Sequence, residues 1–98
     1  MENPCKVVCL GDSITNGYFP VFRRLMHEKY QGYGLKIDNA GVNGDKARDG
    51  YRRLDRVLSL CPDVVIVGFG LNDLLKDGGI RDFEFYLRKI VDRLAEKN

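Results

Sequence analysis

Three glycine-containing segments each carry a group of the kind that acyl-transfer chemistry uses. Gly11-Asp12-Ser13-Ile14-Thr15 sets a hydroxyl after a Gly-Asp pair, and Asn39-Ala40-Gly41-Val42-Asn43-Gly44-Asp45 contains the unhindered N–H of Gly44. Gly68-Phe69-Gly70-Leu71-Asn72-Asp73 contributes the side-chain amide of Asn72. A serine presented at a strand end can serve as a nucleophile. A glycine N–H and an amide can donate to a developing oxyanion. Each feature alone has a plainer use. Asp12, Ser13 and Thr15 suit a turn and a helix cap, Gly44 suits a positive φ, and Asn72 suits an Asx-turn. Asp12 and Asp73 together would also suit a divalent cation in a phosphoryl-accepting receiver module. Against that reading, no Gly-x-x-x-x-Gly-Lys-Ser/Thr run occurs and Gly68-Phe69-Gly70 lacks the third glycine of a dinucleotide loop.

The elements that must position these segments follow from hydrophobic patterning. Two nearly continuous apolar runs, Lys6-Val7-Val8-Cys9-Leu10 and Val64-Val65-Ile66-Val67, each end at a glycine and read as strands buried on both faces. Leu35-Lys36-Ile37-Asp38, between glycine-rich stretches, reads as a third. The strands are placed at about 5–10, 35–39 and 63–68. Helix one is predicted over about 20–31, with Pro20 in its first turn and Val21, Phe22, Leu25 and Met26 at helical spacing. Helix two is predicted over about 46–60, weakened at Gly50 and stopped by Cys61-Pro62. Helix three follows Asp77-Gly78-Gly79 over about 82–96, with Asp82 as N-cap and an apolar stripe through Phe83, Leu87, Ile90, Val91 and Leu94. Alternation of strands with helices implies parallel pairing through right-handed crossovers in an open α/β sheet. Ligands of such sheets bind at the carboxyl ends of the strands, where all three polar segments fall.

In this order the three segments resemble blocks of the SGNH hydrolases, also called the GDSL esterase and lipase family. The first resembles the family's nucleophile block, the second its glycine block, and Gly70-Leu71-Asn72-Asp73 its asparagine block. The resemblance implies a flavodoxin-like three-layer αβα fold with a parallel sheet, truncated after the third helix, in one partial domain over 1–98. It implies a serine ester hydrolase acting on a small acyl ester without a cofactor. Ser13 would be the nucleophile, the N–H groups of Ser13 and Gly44 with the Asn72 amide would form the oxyanion hole, and Asp12 would position the serine loop. The family's fourth block, Asp-x-x-His, has no counterpart here. The single histidine, His27, lies seven residues past Pro20 on helix one, ~10 Å further along the helix, and is unsuited as a base. Family members run to about twice this length, still a single domain, so the resemblance covers an amino-terminal half. The 98-residue chain is expected to be inactive alone or to need a complementing segment. The alternative is a non-catalytic binding or scaffold module on the same fold.

Composition narrows the remaining classes. Ninety-eight residues suffice for one domain, and 44% hydrophobic with 31% charged residues is a globular balance. Net charge is +2 and no basic run exceeds Arg23-Arg24 or Arg52-Arg53, which predicts no nucleic-acid or anionic-membrane partner. No stretch approaches the ~18 apolar residues of a membrane span. A strand-like run begins too soon after Met1 for a signal peptide, so a soluble, cytoplasmic, non-exported chain is expected. The three cysteines cannot all pair, and Cys5 and Cys9 in one strand would lie ~13 Å apart. Buried reduced thiols are expected, with no zinc or redox centre. In the flavodoxin-like order, strand one sits between strands two and three. This leaves strand three as an apolar edge beside a half-bare face, which predicts a homo-oligomer or a complementing polypeptide.

Overall fold

Alternate side chains of the strand β1, Lys6–Gly11, enter opposite faces of a sheet and are buried on both. The computed structural model describes residues 5–76 and 79–97. β1 is central, flanked by β2 (Lys36–Gly41) and β3 (Val64–Gly68) in a parallel sheet of order β2-β1-β3. This is the order expected, with β3 at one edge. The register sets Gly11 level with both Gly41 and Gly68. Three glycines therefore end the three strands in one row. The row is crowded: a side chain at Gly11 would collide with the Thr15 hydroxyl and the Gly68 carbonyl.

Helix α1 covers Ser13–Lys29 and begins seven residues before the predicted start. The physical signal is Asp12, whose Oδ1 accepts the Ile14 N–H at 3.0 Å as an N-cap. Pro20, expected in the first turn, lies inside the helix, where it withholds one hydrogen bond. The predicted second helix is two: α2 (Ala47–Arg52) and α3 (Leu54–Ser59), separated where Arg53 takes φ −106° and ψ 15°. Gly50, read as a weak point, lets the Phe69 ring seat directly on α2. A short helix that the pattern did not announce, α4 (Leu71–Leu75), follows β3. The last, α5 (Gly79–Ala95), starts before Asp82, which sits in its first turn rather than at the cap. The expected Asp77-Gly78 turn lies outside the described residues.

The two faces are covered unequally. Val8 and Leu10 of β1 enter a core with Leu54, Val57 and Ile90, supplied by α3 and α5. Val7 and Cys9 face the other way, towards Ile37 and partly buried Phe19, Phe22 and Met26 of α1. Arg93 on α5 pairs with Asp55 on α3, tying the first face together. Of the cysteines expected to be buried, only Cys9 is; Cys5 is partly buried and Cys61 is exposed, and all three are free thiols. Among the described residues no helix is long and apolar enough to cross a membrane.

Candidate active site

Because the strands are parallel and end together, the segments following them open on one rim of the sheet. Ser13 leads out of β1 as the first residue of α1 and is exposed. Its N–H belongs to the first helical turn, whose amides lack partners within the helix. Asp12 beside it is 2% exposed and its carboxylate is held on the Ile14 N–H. This contact is the capping role weighed from sequence. A cavity of about 170 Å3 next to this turn is lined by Asp12, Ile14, Thr15, Tyr18, Phe69 and Leu71. Burial pushes the Tyr18 phenol above its ordinary pKa, against a hydrogen bond with Thr15 that lowers it. Burial also raises the Cys9 thiol, opposed by a hydrogen bond with Tyr18.

Gly44 has φ +83°, the left-handed conformation expected of it, and is exposed in the loop after β2. Its carbonyl accepts the Lys76 ammonium at 3.0 Å. Asn72 in α4 does not make a local Asx-turn. Its Nδ2 reaches 27 positions back in sequence to the Asp45 carbonyl, at 3.1 Å. That contact uses one of the two hydrogens of the amide and joins the asparagine segment to the glycine segment.

A polar web that the sequence did not reveal binds the three segments. Arg53, at the break between α2 and α3, donates from Nε to Asp45 Oδ2 at 2.9 Å and from Nη2 to the Gly11 carbonyl at 3.0 Å. The Val42 N–H donates to the same carbonyl, also at 3.0 Å. Asp73 is 3% exposed, and its carboxylate accepts the Ala47 N–H at 3.2 and 3.3 Å, anchoring the start of α2. On the other side, Asn39 donates to Asn16, and Asn16 donates to Asn43 at 2.7 Å. In the sequence Arg53 is only the second member of a short basic pair. Nothing in its spacing points to residues 8 and 42 positions away.

The same contacts account for the two acids considered as cation ligands. Asp12 and Asp73 are each spent on a backbone N–H, and among the described residues no group of three His, Cys, Asp or Glu side chains is placed to hold a metal. His27 is exposed near the far end of α1. With the helix starting at Ser13, fourteen residues separate the two, ~21 Å along the axis and about twice the separation expected from a start at Pro20.

Comparison with known proteins gives this rim a context. Residues 9–98 match the model of the GDSL-like lipase/acylhydrolase family. Among solved structures, the chain is 29% identical to the acetyl xylan esterase AlAXEase (TM-score 0.83), covering 95% of this chain and 54% of that one. It is 28% identical to AlinE4, an SGNH-hydrolase family esterase (TM-score 0.83), covering 100% and 57%. It is 33% identical to a lipase/acylhydrolase from Enterococcus faecalis (TM-score 0.80), covering 95% and 53%. The chain thus spans little more than half the length of these proteins, their amino-terminal half. No curated protein matches it.

Proposed function

The chain belongs to the GDSL-like lipase/acylhydrolase family, and from that premise we propose that its rim is the nucleophile and oxyanion part of a serine ester hydrolase. Ser13 Oγ attacks the carbonyl carbon of a small acyl ester, and the carbonyl oxygen becomes an oxyanion. Three donors receive it: the Ser13 N–H, the Gly44 N–H and the second hydrogen of the Asn72 amide. Collapse of the tetrahedral intermediate expels the alcohol and leaves an acyl-serine, which water hydrolyses to the acid. Each donor contributes roughly 3 kcal/mol of transition-state stabilisation in sites of this kind. Asp12, by capping α1, fixes where the serine turn stands.

The observation that carries this reading is the exposed Ser13 at the start of α1, on the same rim as the Gly44 loop and Asn72, with the loops joined through Asp45 and Arg53. Proton transfer is the part these residues do not supply. His27 stands at the wrong end of α1, so Ser13 has no imidazole among the described residues to take its proton. The chain by itself is therefore a poor catalyst, and a binding module with the same pocket is the competing reading.

A single-turnover assay with p-nitrophenyl acetate separates the two. The expected result is slow release of one equivalent of nitrophenol above the buffer background and acyl-Ser13 by mass spectrometry, with loss of both in Ser13→Ala. An ester that binds without acylating Ser13, or nitrophenol release indifferent to Ser13→Ala, overturns the hydrolase reading in favour of the binding module.

A further inference from the structure

The loop that carries Gly44 is a turn whose two ends are tied to one side chain. Val42 to Asp45 is closed by the Asp45 N–H on the Val42 carbonyl at 3.2 Å, with Gly44 third in the turn at φ +83°. At the first residue, the Val42 N–H donates to the Gly11 carbonyl at 3.0 Å. Arg53 Nη2 donates to that same oxygen, also at 3.0 Å, and takes its second lone pair. At the last residue, Arg53 Nε donates to the Asp45 carboxylate at 2.9 Å. Gly11 precedes Ser13 by two positions and Asp45 directly follows Gly44, so one guanidinium spans the backbone on either side of two of the three proposed donors. The Arg53 and Asp45 side chains are only 20% and 15% exposed, and a charge-assisted bond of this kind holds its geometry more firmly than a neutral one. The other holds on the turn, Asn16 on Asn43 and Lys76 on the Gly44 carbonyl, are exposed.

We propose that Arg53 is a positioning residue for ester hydrolysis: by clamping the Gly11 carbonyl to the Asp45 carboxylate, it fixes the Ser13 and Gly44 N–H groups at the separation that one oxyanion needs. This rests on the hydrolase reading of the rim and assigns a role to a residue that acts through two backbone segments rather than on the ester. The chemistry of the side chain suits the task. A planar guanidinium offers donors at a fixed spacing, whereas a lysine ammonium is a point charge on a flexible stem. Oxyanion donors act without reorganisation only if their places are set before the charge develops, and a misplacement of about 1 Å can cost about 100-fold in rate. Sites of this type that lack a nucleophile or base still retain roughly 1,000-fold catalysis over water from the oxyanion hole and binding. The contribution of Arg53 is therefore measurable in the chain by itself.

The test offers the 98-residue chain an equimolar mixture of p-nitrophenyl acetate and its thiono analogue, in which sulfur replaces the carbonyl oxygen. The ratio of acetyl-Ser13 to thionoacetyl-Ser13 is read by peptide mass spectrometry. Sulfur is larger and a weaker acceptor, so donors spaced for oxygen favour the oxygen ester. Arg53→Met is expected to slow acetylation of Ser13 by roughly 30-fold and to lower the ratio about tenfold, with Arg53→Lys between it and the wild type. Both esters meet the same folded molecules, so a variant that merely loses folded protein slows both and leaves the ratio where it was. Arg93→Met, which removes the pair with Asp55 between α5 and α3, should behave in that way. If Arg53→Met does not fold, Asp45→Asn, which keeps an acceptor for Nε but not its charge, should lower the ratio about threefold. A wild-type ratio in the folded Arg53 and Asp45 variants overturns the proposal, and acyl-Ser13 in the wild-type chain then leaves the hydrolase reading standing. No acyl-Ser13 from either ester in the wild-type chain overturns both.

Discussion

The two faces of one three-stranded sheet are in opposite conditions. Against α2, α3 and α5, the side chains of Val8, Leu10, Leu54 and Ile90 are wholly removed from water. Against α1, Cys9 and Thr15 are fully buried and Val7 and Ile37 nearly so, but Val64 is nearly half exposed. The strands are equally apolar towards both faces, so strand composition does not explain the difference. What differs is the number of helices available: α1 lies over β1 and β2 and leaves β3 open, whereas the other face receives α2, α3 and α5. Stability resides in the face that is finished.

The largest expected effect contrasts the faces directly. Leu54→Ala should cost about 3 kcal/mol in urea unfolding, because the vacated space is enclosed on all sides. Ile66→Ala, which enlarges a groove already open to solvent, should cost less than about 1 kcal/mol. Equal losses would show that the α1 face is as consolidated as the other. Next in size, Asp73→Ala should cost about 2 kcal/mol by stranding the Ala47 N–H, and Asp73→Asn, whose amide oxygen still accepts, should recover part of it. Loss of the cap in Asp12→Ala, on the α1 side, should cost about 1 kcal/mol. It should also loosen the amides of the first turn of α1 to hydrogen exchange.

The smallest effect is one of pH. Burial raises the thiol of Cys9, and also the phenol of Tyr18, so the folded chain holds these protons more tightly than the unfolded chain. The stability this contributes is fully present below the ordinary thiol and phenol pKa values and is lost as pH rises through the raised ones. Urea midpoints measured from neutrality to about pH 10 should fall, and Cys9→Val should flatten the part due to the thiol. A slope unchanged in Cys9→Val would mean that water reaches Cys9 through the open groove, and would widen the contrast between the two faces.

Strands and rim segments were legible because their signals are local. A run such as Val64 to Val67 closed by Gly68 marks its own ends, and three such runs alternating with helices leave few topologies. The start of α1 is not legible in the sequence because Pro20 and the apolar spacing after it signal a helix more strongly than Asp12, a cap that also reads as a loop residue. The predicted helix two is divided at Arg53, whose guanidinium is engaged with Asp45 and Gly11, partners that local spacing does not show. α4 was missed because five residues are too few to show a period.

The sequence by itself determined the parallel α/β alternation, the three segments at the carboxyl rim and their likeness to a hydrolase family, since each rests on residue types within a few positions of one another. The tertiary structure alone decided what binds those segments together. Arg53 meets Gly11 42 positions away, Asp73 meets Ala47 across 26, and Asn72 meets Asp45 across 27. Contacts of that range are fixed by where the sheet register and the helix directions deliver a side chain, and spacing along the chain does not record them.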